Sequence, residues 1–326
     1  MSRGRYDLPV RAFCLSFHAG YRCQSSGACC TAGWPISVDA AGLSMLRSSG
    51  LLPAANRGEV HFIRRAAGGD ATLATTADGA CVFFNDARPR LCALQRDGGA
   101  WLMPVACRNF PRVSLRDGRG LFITLSHFCP TAARLLLTAG DIAIVEAPAS
   151  LSLGGEAEGL DATAVMPPLL RPGMLMDLDG YSMWEAEAVA TLGERGYSPC
   201  AALNVLSAAT ADACGWSPGA GSLSLHMKQA FARARAEAPP EDLPCSRLEH
   251  AAKAFLAAHL FASWAAYQHG GLAAVVHAAE SVLALSRADR ALDDQSFIEA
   301  VRKADLRVRH TGDHVRPPAL SQVRCD

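Results

Sequence analysis

Between positions 23 and 30 the chain reads Cys-Gln-Ser-Ser-Gly-Ala-Cys-Cys, followed at once by Thr31-Ala32-Gly33-Trp34, and no other stretch constrains the fold as strongly. Three thiols within eight positions, set among small and polar residues without helical or strand periodicity, describe a loop folded around something. Four further cysteines follow at Cys81, Cys92, Cys107 and Cys129 in related surroundings: Cys-Val-Phe-Phe, Arg-Pro-Arg-Leu-Cys, Ala-Cys-Arg-Asn-Phe-Pro-Arg and His-Phe-Cys-Pro. A soft metal needs several thiolates converging on one point; a turn-forming loop supplies some locally, and remote cysteines close the shell. Residues 1–145 are therefore expected to form an irregular, cysteine-rich domain with short strands, built around a metal or iron–sulfur centre. The candidate ligands are Cys23, Cys29, Cys30, Cys81, Cys92, Cys107 and Cys129. Of the adjacent pair Cys29 and Cys30, one is expected to ligate while the other faces elsewhere.

Other readings of these thiols compete. Disulfides belong to exported chains, and the N-terminal Met-Ser-Arg-Gly-Arg-Tyr-Asp-Leu-Pro has no apolar run of signal-peptide length. A reducing, cytoplasmic setting is expected instead. Free cysteines also pack as small apolar groups, the expected role of Cys14, Cys200, Cys214, Cys245 and Cys325. A metal that only staples the fold is the third reading. His18 and His127 stand near cysteines and are candidates either for a mixed shell or for ordinary hydrogen bonding.

Charge narrows the partners. Lys plus Arg number 31 and Asp plus Glu number 31, leaving no net field to gather nucleic acid or an anionic membrane. The most apolar region, residues 254–276, owes its hydropathy mainly to alanine and carries Gly270-Gly271. It reads as a buried helical hairpin rather than a membrane span.

Along the chain, the spacing predicts a short strand within residues 8–21 and a helix from Asp39, which is a good N-cap. Further short strands are expected at 60–63 and 81–84, with a helical turn at 88–95. The Asp117-Gly118-Arg119-Gly120 tetrapeptide between two apolar runs predicts a hairpin, and Cys129-Pro130 opens a helix. Residues 146–182, rich in Gly, Pro and acidic residues, read as a linker. An all-α domain over 183–307 follows, with helices at 184–195, 199–211, 223–237, 248–268, 272–287 and 293–303. A loose tail covers 308–326. The fold class is thus mainly α.

The order Cys-x5-Cys-Cys, Gly-Trp, Cys-x-Phe-Phe, Arg-Pro-x-x-Cys and Cys-Arg-Asn-Phe-Pro-Arg resembles a cysteine-cluster family described as zinc- or iron-chelating. Cys129-Pro130-Thr131-Ala132-Ala133-Arg134-Leu135-Leu136-Leu137, with residues 184–198 farther on, is similar to flagellin lysine-N-methylases (FliB-like). The resemblance implies a 4Fe-4S cluster held by these cysteines and methylation of protein lysines, such as those of flagellin, from S-adenosylmethionine. Arg108 and Asn109 beside Cys107, with Arg88 and Arg112 nearby, are candidates to balance cluster charge or grip a cofactor carboxylate. The chain shows neither the glycine-rich strand–turn–helix of common methyltransferases nor Cys-x3-Cys-x2-Cys. A non-enzymatic zinc or iron protein whose helical half binds a partner is the alternative.

Overall fold

The computed structural model describes residues 11–51, 62–64, 71–85, 92–151, 159–164, 166–241, 245–268, 270–288 and 293–310. Residues 88–91 of the helical turn expected at 88–95, Arg88 among them, and the tail beyond 310 lie outside them; within the described part, a helical turn runs Leu94–Gly98. A five-stranded mixed sheet is built from β1 (Ala12–Leu15), β5 (Arg112–Asp117), β6 (Gly120–Leu125), β7 (Ile144–Glu146) and β8 (Gly159–Asp161), in the order β7-β1-β6-β5-β8. The expected hairpin is β5–β6, paired from Arg112↔Leu125 to Asp117↔Gly120. Asp117 Oδ1 closes its turn by accepting the Arg119 N–H at 2.8 Å. Gly120, at φ 144°, is required because a Cβ there would meet the Arg11 carbonyl oxygen at 2.6 Å.

A second, three-stranded antiparallel sheet joins β2 (Ser37–Val38), β4 (Ala71–Leu73) and β3 (Phe62–Arg64) in the order β2-β4-β3. Beside it α1 (Ala40–Ser48) starts at Asp39, whose carboxylate accepts the Gly42 N–H at 2.6 Å. Val38, Leu43, Leu46, Leu73, Phe83, Leu94 and Leu102 form a small core of their own under the cysteine-bearing loops. Residues 81–84, expected as a strand, make a turn instead, anchored at its ends by the bridges Thr75↔Cys81 and Phe84↔Cys92.

The segment 146–182, read from composition as a linker, contributes β8 parallel to β5, then the hairpin β9 (Leu169–Arg171) and β10 (Met174–Leu175). Glycine is needed in β8 because Gly159 backs directly onto Ser114, whose Oγ would lie 2.2 Å from a Cβ. Composition alone hid this, since Gly and Pro are as frequent in tightly paired edges as in linkers.

The remaining helices are α2 (Val105–Asn109), α3 (Pro130–Leu137), α4 (Leu178–Gly193), α5 (Pro199–Cys214), α6 (Leu223–Glu237), α7 (Arg247–Leu260), α8 (Gly271–Ala288) and α9 (Asp294–Asp305). Capping sets several of their starts. Ser198 and Ser222 accept N–H groups of the first turn, and Ser246 with Glu249 forms a reciprocal capping box. The helix expected over 248–268 stops at Leu260. Ala262 takes φ 56° and donates its N–H to the buried Glu185 Oε1 at 2.8 Å, and a 3-10 turn at Trp264–Tyr267 follows. Left-handed backbone costs a non-glycine residue about 1–2 kcal/mol, and a charge-assisted hydrogen bond of about 1.5–3 kcal/mol offsets it.

One apolar core runs through both halves. Leu15, Leu115 and Phe122 from the large sheet pack with Trp184, Leu206, Phe231, Leu256, Val275 and Val301 from the helices. Each such side chain contributes about 1.5–3 kcal/mol on burial, so the helices and the sheet stabilise one another. The architecture is mainly α, with a small mixed sheet and a helical C-terminal region. Among the described residues no helix is long and apolar enough to cross a membrane.

Candidate functional site

The cysteine loop folds around its own carbonyls. Cys30 and Thr31 donate their N–H groups to the Gly27 carbonyl at 2.9 and 3.1 Å. Gly27 sits at φ 74°, where a Cβ would strike the Phe84 ring at 2.6 Å. Cys81 N–H then donates to the Cys30 carbonyl at 2.7 Å, and Ala93 N–H to the Phe83 carbonyl at 2.8 Å. With the Phe84↔Cys92 bridge, these bonds gather Cys29, Cys30, Cys81 and Cys92 into one neighbourhood.

Cys29 Sγ and Cys30 Sγ lie 3.9 Å apart, so the adjacent thiols share one side instead of diverging as expected. The turn closed on Gly27 brings them together. The Cys30 thiol, as hydrogen-bond donor, stabilises a Cys29 thiolate and lowers that group to about 7. Cys30 is driven up by the same bond and by burial, while burial raises Cys81 and Cys92. A negative charge on Cys81 or Cys92 further opposes ionisation of Cys30.

These four, together with Cys107 of α2, line a cavity of about 880 Å³ between the cysteine-bearing part and the helices. Trp34 and Phe110 also line it, with ring centroids 5.5 Å apart. Cys23 and Cys129 lie elsewhere. Cys23 is exposed, and Cys129, at the start of α3, has its sulfur 3.8 Å from Tyr21 Oη. Of the residues expected to grip a cofactor, Arg108 and Asn109 do not line the cavity, whereas Arg112 does, its guanidinium donating to the Leu151 and Ser150 carbonyls.

As they stand, no three His, Cys, Asp or Glu side chains among the described residues converge tightly enough to hold a metal ion. The donors nevertheless have the right chemistry. Thiolates around a tetrahedral zinc at about 2.3 Å are about 3.8 Å apart, close to the 3.9 Å between Cys29 and Cys30. Cys81 and Cys92 are the neighbouring soft donors that would complete such a shell.

The opposite end of the cavity is organised by a residue without any motif. Asp305, fully buried at the end of α9, accepts the Ser126 hydroxyl at 2.6 Å and the Phe128 N–H at 3.1 Å. Arg309 Nε donates to it at 3.2 Å, and His259 Nε2 approaches the same oxygen at 3.2 Å, out of line with a straight hydrogen bond. Although burial works against ionisation, His259 and Arg309 hold the Asp305 carboxyl far below the usual carboxylate range. His310 Nε2 donates to Ser126 Oγ at 2.8 Å, and its ring lies 4.7 Å from that of Trp34. The expected loose tail thus begins after a docked turn, Leu306–His310. An acidic residue four positions before a basic one was the only sequence trace of this network.

His18 and His127 form no mixed shell with cysteine. Both are fully buried, their Nε2 atoms 3.2 Å apart, and burial keeps them neutral, reinforced by His127 at His18 and by His259 and Arg309 at His127. Comparison of the chain with protein-family models, with curated proteins and with solved structures finds no match.

Proposed function

We propose that the chain is a thiolate metalloprotein that methylates protein lysines. An iron–sulfur or zinc centre would be held at Cys29, Cys30, Cys81 and Cys92, and the adjoining cavity would take S-adenosylmethionine and the acceptor side chain. The observation that carries this reading is that five of the seven motif cysteines line one cavity of about 880 Å³, within the range of ligand pockets. The cysteine motifs' resemblance to flagellin lysine-N-methylases supports the reaction class and the flagellin-like acceptor. An iron–sulfur cluster held by only three of these thiolates would leave one iron open, supplying a Lewis-acidic corner for the cosubstrate's amino and carboxylate groups. The chain's own contribution is the pocket: Trp34, Phe110, Trp264 and Val308 exclude water, and Arg112 offers a positive charge. A reducing, cytoplasmic setting would keep the cavity thiols available, although Cys200, expected to pack as a free thiol, is disulfide-bonded instead, and the balanced net charge supports a protein acceptor over a nucleic acid.

The second reading is a zinc or iron staple without catalysis. It is favoured by the separate small core of Val38, Leu46 and Leu73, which is too small to hold the loops rigidly alone. Anaerobic purification, metal analysis and a visible spectrum divide the two. A broad charge-transfer band with iron in the protein, followed by saturable S-adenosylmethionine binding, is expected. A colourless zinc protein that binds no S-adenosylmethionine refutes the enzymatic reading.

A further inference from the structure

Methyl transfer to an amine needs the free base. The nitrogen lone pair forms the new N–C bond, the C–S bond breaks with its electrons remaining on sulfur, and the alkylammonium product gives its extra proton to bulk water on release. Among the described residues no Asp or Glu lines the cavity, whereas Arg112 and Arg309 do. An alkylammonium entering this apolar space would lose water and meet positive charge, and both effects favour the neutral amine. The cavity must also present a lone pair to orient that amine.

Three imidazoles on its wall have a carboxylate behind them. His310 stands 4.0 Å from Asp305, but its Nε2 is taken by Ser126 Oγ and its ring lies against Trp34. His277 Nδ1 lies 3.5 Å from Glu280, but its Nε2 is sealed from solvent and has no partner among the described residues. His259 differs. Its Nε2 faces the buried carboxylate of Asp305 at 3.2 Å, so the proton resides on that nitrogen, and Nδ1 carries the lone pair. His259 lines the cavity, and its Nδ1 is not among the sealed, unpartnered atoms. Phe255 packs edge-on against the ring at 4.8 Å and fixes its plane. Burial and the Arg309 charge lower His259 to about 4, keeping that lone pair open through the neutral range.

We infer that His259, oriented by Asp305, accepts a hydrogen bond from the uncharged substrate amine and aims its lone pair into the cavity, an assignment that rests on the cavity being the methyl-transfer site. The acceptor class is therefore an unbranched apolar stem ending in a neutral N–H donor.

The test uses the full-length protein and needs neither metal loading nor methyl donor, because Trp34 and Trp264 line the cavity and report occupancy by fluorescence. The probes are 1-hexanol, 1-methoxyhexane, which keeps the stem but lacks the donor, and hexyltrimethylammonium, which carries a fixed charge. Hexanol should bind about fivefold tighter than the ether, as one net hydrogen bond allows, and the cation should bind weakest. His259→Leu should erase the difference between alcohol and ether, while His259→Gln, which retains an acceptor, and His277→Leu should preserve it. Survival of the preference in His259→Leu, its loss in His277→Leu, or tight binding of the cation overturns the assignment. Failure of S-adenosylmethionine to bind overturns the methyl-transfer reading instead, and is measured separately.

Discussion

Replacing Asp305 with alanine should be among the most damaging single changes in the chain. The carboxylate is fully buried and accepts from the Ser126 hydroxyl, the Phe128 N–H and Arg309, with His259 at 3.2 Å. Removing it leaves the Arg309 guanidinium without a carboxylate, holding only the Ala258 carbonyl at 2.8 Å, and breaking one side of a buried ion pair costs about 3–5 kcal/mol. The Phe128 N–H loses its partner at about 1–3 kcal/mol. Ser126 keeps His310, so it adds little. The terms overlap, and the net expectation is about 5 kcal/mol, comparable to the whole stability of a marginal domain. Urea unfolding followed by circular dichroism reads it as a lower midpoint at unchanged slope. The double variant Asp305→Leu with Arg309→Met should recover at least about 2 kcal/mol relative to the sum of the single changes, because no unpaired charge remains. A loss below about 1 kcal/mol for Asp305→Ala, or strictly additive effects in the double variant, would refute the claim that this pair holds α9 against the β6–α3 junction.

Stability should also fall with acid. Burial lowers His259 to about 4 and His127 to about 3, while an unfolded imidazole titrates near 6.5. Between pH 6.5 and about 4 the unfolded chain takes up protons that the folded state refuses. Each such imidazole removes about 1.4 kcal/mol per pH unit, with little change above pH 7; urea midpoints at pH 7.5, 6 and 5 check the slope, and a flat profile would contradict the buried-neutral assignment. Arg119 stacks at 4.2 Å on Phe122 and 4.3 Å on Tyr181 while pairing with Asp117 and Glu185. Arg119→Met should cost about 3–5 kcal/mol by stranding two buried carboxylates, and an unchanged melting temperature would show the cluster to be dispensable. Cys30→Ser should reduce bound metal per chain far more than Cys23→Ser, since only Cys30 lines the cavity; equal losses measured by elemental analysis would count against the four-cysteine neighbourhood.

Much of the local structure could be read from residue order because it rests on near-neighbour physics. Asp39 as a cap, the Asp117–Gly120 turn, Cys129 opening α3 and the α6 span all depend on contacts within a few positions. Where reading failed, a remote partner had overridden local preference. Glu185 holds Ala262 in the left-handed conformation and cuts short the helix expected through 268. Ser114 makes Gly159 a strand residue in a stretch whose composition suggests a linker.

The cysteine pattern by itself determined that seven soft thiol donors recur between positions 23 and 129, because residue type sets donor chemistry before any fold exists. Only the tertiary structure decided that Cys29, Cys30, Cys81, Cys92 and Cys107 share a cavity from which Cys23 and Cys129 are excluded. It likewise decided that Asp305, Arg309 and His310 return from the far end of the chain to Ser126 and His259. Helix and turn signals span a few residues, whereas these meetings join distant positions, 179 apart for Ser126 and Asp305, and their energy comes from a shared apolar core that no local stretch encodes, with the buried charges paired inside it.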